Sequence, residues 1–133
     1  MPDAFDPDRW NACVRLLSGP LERLNAVQRT AALVFRYEGS VMNGGHSLYF
    51  DTPDYLDASE LLQGLKTVKA FAHARIFTNA DSLHREAEQV EEDEQMHLAE
   101  VIEDLDREFG QIQPPLNDLL CRYFDSHPAH FPG

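Results

Sequence analysis

Apolar residues recur at spacings of three and four almost from end to end of this 133-residue chain, a period that suits helices and fits strands poorly. Trp10, Cys13, Val14 and Leu17 form the first stripe, with Asp6 and Pro7 placed as an N-cap and a first helical residue. Ser18-Gly19-Pro20 breaks it. Leu24, Val27, Ala31, Val34 and Phe35 make a second stripe that is predicted to end near Gly39. Residues 39–53 read as irregular, with a short helical turn holding Leu48, Tyr49 and Phe50. Ala58, Leu61, Leu62 and Leu65 begin a third stripe, continued by Val68, Ala72 and Ile76 and split near Lys66-Thr67. Asn79-Ala80-Asp81-Ser82 reads as a loop and cap. Leu83, Ala87 and Val90 follow, then the clearer stripe Leu98, Val101, Ile102, Leu105 and Phe109. Leu116, Leu119, Leu120, Tyr123 and Phe124 close the pattern before Pro128. The expected fold is all-α, one compact bundle of about six or seven mostly short helices, with residues 1–133 as a single domain.

Charge is the second constraint, and it is local. The chain has 23 acids against 11 Lys and Arg, for a net charge of −12. Residues 86–108 alone carry Glu86, Glu88, Glu91, Glu92, Asp93, Glu94, Glu100, Glu103, Asp104, Asp106 and Glu108, against the single base Arg107. Apolar residues interrupt the acids, so the segment reads as the wet side of a helix rather than a disordered tail. Treated as one straight helix it spans about 34 Å, or one charge per roughly 3 Å, close to the ~3.4 Å spacing on one DNA strand. Asp54 and Asp57 are candidate extensions of the same surface. Such a field repels nucleic acid and attracts a basic protein partner.

Other functions find little support. The start, MPDAFDPDRW, lacks the basic and apolar regions of a secretory signal, and no 18-residue apolar run offers a membrane span. A cytoplasmic protein is expected. Cys13 and Cys121 fall on apolar faces and read as free thiols. Glu94-x-x-His97 has the spacing used in di-iron bundles, and Asp93, His97 and Glu100 share a helical side, but the second motif and inward glutamates such a site needs are missing. Neither a metal nor a cofactor is expected. No Gly-x-Ser-x-Gly, phosphate-binding loop or His-Glu-x-x-His occurs, and exposed acid pairs lack the pocket that would separate their pKa values. No catalytic residue is assigned.

Asn43-Gly44-Gly45 is expected to be structural. Its glycines permit backbone conformations closed to other residues, and Asn43 is placed to cap the short helix after it. The run Asn43-Gly44-Gly45-His46-Ser47-Leu48-Tyr49-Phe50 resembles the NGG-x-x-x-(Y/F)-F signature of a bacterial all-helical domain family of largely unknown function, typed by DNA-mimic proteins. Leu105-Asp106-Arg107-Glu108-Phe109, Leu119 to Phe124 and His127-Pro128-Ala129-His130-Phe131 resemble its closing patterns. The resemblance covers about residues 29–131. His46 stands where an aromatic is common, and His127 where Asn is common.

The resemblance implies an all-α fold without catalytic residues, and a carboxylate surface that imitates DNA to a DNA-binding protein. The leading expectation is therefore a non-enzymatic acidic interaction protein. An immunity or antitoxin protein that neutralises a basic toxin is the alternative. A metal-binding bundle or an enzyme is a further one.

Overall fold

In the computed structural model, which describes residues 6–52 and 57–132, six α-helices and one 3-10 turn follow one another along the chain. No strand occurs among the described residues. The helices are α1 (Pro7–Leu17), α2 (Ala26–Phe50), α3 (Ala58–Thr67), α4 (Phe71–Ala87), α5 (Glu92–Gln111) and α6 (Leu116–Ser126), with the 3-10 turn at Leu21–Arg23. None of them is long and apolar enough to cross a membrane.

Local chemistry sets most of the ends. Asp6 accepts from the Asp8 and Arg9 amides, with Pro7 at the first helical position of α1. Asn25 and Gln28 form a reciprocal capping box at the start of α2, at 2.9 and 3.1 Å. The α3–α4 joint is a Schellman motif. The Ala70 amide donates to the Leu65 carbonyl at 2.8 Å and the Lys69 amide to that of Lys66 at 3.0 Å. Lys69, not glycine, takes the left-handed position, with φ at 67°.

Two expected loops are helical. The second stripe does not end near Gly39. Helix α2 runs on to Asn43, kinks through Gly44 and Gly45, and resumes at His46, because Val41 and His46 extend the buried face of Tyr37. Asn79–Ser82 is no loop either. It lies inside α4, where Ala80 is fully buried in register with His73, Ile76 and Phe77. Asp81 also binds Arg85 one turn on, at 3.0 Å. Tertiary burial overrides the weak helix propensity of these polar residues.

Tyr37 of α2 is the centre of the core. Its ring meets those of Tyr49, Phe77 and Phe109 edge to face, with centroids 5.1, 5.4 and 5.6 Å away, the favoured aromatic geometry. Helices α2, α4 and α5 thus meet at one aromatic knot, while α1 and α6 close over the other side of α2 through Trp10, Phe35 and Phe124.

Candidate partner-binding face

Helix α5 is positioned by its apolar stripe. Leu98, Ile102 and Phe109 are buried, and Val101 and Leu105 half-buried. At 100° per residue, the direction opposite that stripe is occupied by Asp93, Glu100, Glu103 and Asp104, with Glu92 beside them, and all five are exposed. Glu92, Asp93 and Glu94 fill the first turn of α5, where the helix dipole favours negative charge.

The acidic segment is not one straight helix. Helix α4 ends at Ala87, the chain turns through residues 88–91, and α5 folds back against α4. Gln95 braces this hairpin, donating through Nε2 to the Ala87 and Val90 carbonyls at 2.9 and 3.1 Å, and so satisfies carbonyls that the helix end leaves open. The turn gathers Glu86, Glu88, Glu91, Glu92, Asp93 and Glu94 at the hairpin tip, all exposed. The rod-like spacing expected from sequence therefore holds only within α5.

Several acids have local partners. Glu88 meets His84 at 3.3 Å, Glu108 meets Arg75 at 3.1 Å, and Asp104 pairs with Arg107 on its own helix. The Glu108–Arg75 and Asp104–Arg107 pairs are exposed, and all three are surface pairs that add little. Asp57 is exposed and caps α3, accepting from the Glu60 amide at 2.9 Å. Asp54 lies outside the described residues.

Asp106 departs from the expected acidic surface. It turns inward and accepts from both the His46 backbone amide at 2.8 Å and His46 Nδ1 at 2.6 Å. Asp106, not Asn43, therefore caps the second segment of α2. The other ring nitrogen of His46, Nε2, lies 2.6 Å from the Tyr37 hydroxyl. With Nδ1–H donating to the carboxylate, Nε2 accepts from the hydroxyl, and the ring is the neutral tautomer. Burial pushes the His46 pKa down, against the upward pull of Asp106. Burial also pushes the Tyr37 hydroxyl well above its ordinary value.

This chain of groups explains the Asn-Gly-Gly turn. Gly45 has φ of 79°, and a Cβ there would stand 2.3 Å from Asp106 Oδ2. Glycine is required twice over, by the left-handed backbone and by the close approach of a carboxylate. Tyr49 and Phe50 are core residues, and Asn43 is exposed. Tyr37 and His46 are fully buried, and only the Asp106 end of the network reaches the surface.

Tyr37, Gln95 and the role of His46 escaped sequence reasoning. One signal was present. Asp106 lies four residues after Ile102 and three before Phe109, at the edge of the apolar stripe rather than opposite it. Among the described residues, no three His, Cys, Asp or Glu side chains are grouped to hold a metal ion. Cys13 is buried, Cys121 is half-buried, and both are free.

An all-helical domain with an acidic hairpin and a glycine-kinked helix locked by a buried Asp–His–Tyr chain defines the class. A family model described as "DMP19-like protein" matches residues 22–127, most of the chain, and the protein belongs to that family. No curated protein and no solved structure matches it.

Proposed function

We propose that the protein works by binding rather than catalysis, and that the outer face of the α4–α5 hairpin binds the basic surface of a DNA-binding protein where DNA would otherwise sit. The observation that carries this reading is the arrangement of Glu92, Asp93, Glu100, Glu103 and Asp104. They stand exposed on one side of a helix whose opposite side is pinned in the core. Five carboxylates over about 18 Å of helix give one per ~4 Å, near the ~3.4 Å of a single DNA strand. Glu86, Glu88, Glu91 and Glu94 add charge at the tip. The chain's resemblance to a family typed by DNA mimics supports the same reading. Partner Lys and Arg would pair with these carboxylates as they do with phosphates, steering encounter more than tightening the final complex.

The test is charge reversal in two separate sets, Glu91, Glu92, Asp93 and Glu94 to Lys, and Glu100, Glu103 and Asp104 to Lys. Asp106 stays untouched because it holds His46. Basic DNA-binding proteins retained by the wild-type protein should be lost by at least one set and displaced by duplex DNA. Retention that ignores both sets and DNA alike rules the reading out.

A further inference from the structure

At the end of the hairpin away from the acidic tip, the α3–α4 joint, the first turn of α4, residues 112–114 after α5 and one side of α6 enclose an open groove of about 820 Å³, within the usual range for small-ligand sites. Its charged lining is cationic. Lys69 and Arg122 both face it, and none of its lining residues is acidic, in a protein of net charge −12. Neither base makes an ion pair with a described residue. Phe71, 62% exposed, and Ile112 give it apolar walls.

Two further features point to a ligand. Helix α4 starts in this groove, and no side chain caps it, so the first amides of a 17-residue helix are open to an acceptor. His73, in that same first turn, also lines the groove. It is 1% exposed, and its ring Nδ1 has no hydrogen-bond partner. A buried polar atom without a partner is costly and uncommon. The same turn is preceded by Lys69, which lines the groove and takes the left-handed conformation where glycine would be less strained.

We propose that this groove binds a small organic anion, with a carboxylate or phosphate group received by the α4 N-terminus, Lys69 and Arg122, and an apolar body laid against Phe71 and Ile112. This site is separate from the acidic face and does not depend on what that face binds. The carboxylate and phosphate share one chemistry, an oxyanion meeting open amides and two cations.

Titration of the isotope-labelled protein with phenylacetate, phenyl phosphate and inorganic phosphate, followed by nuclear magnetic resonance, tests it. Saturable shifts at the amides of residues 71–74 and at the His73 ring are expected with at least one aromatic anion, and the better aromatic anion identifies the preferred head group. Arg122→Gln should weaken that anion about tenfold, one lost charge-assisted contact. Lys69→Gly should weaken it too while raising the melting temperature, which separates lost charge from lost folding. No saturation by either aromatic anion in the millimolar range overturns the proposal. So does binding unchanged in both variants, or inorganic phosphate binding as well as both aromatic anions.

Discussion

Asp104 and Asp106 stand two residues apart on α5 and do opposite things. Asp104 is exposed and, among the described residues, pairs with Arg107 of its own helix. Asp106 reaches the fully buried His46 and caps a second helix segment. The same contrast runs along the whole hairpin. Its tip carries six exposed acids between Glu86 and Glu94; its base carries His73 and Phe109 packed edge to face at 5.1 Å. A carboxylate's role is decided by the direction it faces, and 200° of helical rotation separates these two.

Removing bulk from the base should do the most damage. Phe109→Ala, which takes a ring from around Tyr37, should cost roughly 3–5 kcal/mol in denaturant unfolding. A loss under about 1 kcal/mol would show that the base is not packed around that ring. Gly45→Ala should cost about 3 kcal/mol, from a strained backbone and a broken carboxylate contact. Gly39→Ala, in the same helix with nothing within 4 Å of the new methyl, should instead gain up to about 1 kcal/mol. Equal effects at the two glycines would contradict the close approach of Asp106.

The base should also respond to acid. Burial holds the His73 pKa down to about 4, against an ordinary value near 6.5. Above about pH 6.5 the ring is neutral whether the chain is folded or not, and its contribution to stability is complete. Between pH 6.5 and 4 the unfolded chain takes up a proton that the folded one refuses, so stability falls as pH falls, by about 3 kcal/mol at most. His46, whose pKa is also lowered by burial, acts in the same direction. Unfolding of wild type and His73→Leu, followed from pH 7 to pH 4, should show a shallower slope in the variant. Identical slopes would contradict a buried neutral His73.

Asp106→Asn should cost about 1–3 kcal/mol, because it weakens hydrogen bonds to a buried partner. Asp104→Asn should fall within about 0.5 kcal/mol of wild type. Paired thermal unfolding separates the two.

Much of the fold was legible because it rests on period. The stripes around Trp10, Leu98 and Leu116 each became a helix with the expected face inside. Asp6 with Pro7, and the acids of the first turn of α5, marked helix starts by local chemistry. The misses were tertiary. Asn79 to Ser82 reads as a loop by composition, yet Ala80 fits a buried face, and packing outweighs propensity there. Gly39 reads as a helix end, yet α2 runs on to Asn43 before Gly44 and Gly45 bend it; the short helix expected beyond the bend, around Leu48 to Phe50, is there. The acidic face was legible as charge but not as shape, since a turn at residues 88–91 folds the segment back on itself. The Asp106–His46–Tyr37 chain joins residues 60 and 9 positions apart in sequence, and no local pattern encodes that meeting. The groove at Lys69 and Arg122 stayed hidden for the same reason.

Charge reversal at the tip should have the smallest effect on stability and the largest on binding. The most direct measurement is retention of basic DNA-binding proteins on the immobilised protein, wild type beside the Glu91–Glu94 and the Glu100, Glu103 and Asp104 lysine sets, with and without duplex DNA in solution. Carboxylates standing in for phosphates predict that DNA displaces the retained protein, that rising salt weakens retention as screening shortens to about 8 Å at physiological ionic strength, and that at least one lysine set abolishes it while the fold persists. Retention that survives DNA and both lysine sets would contradict the account, leaving the hairpin tip a solvated surface and the binding elsewhere.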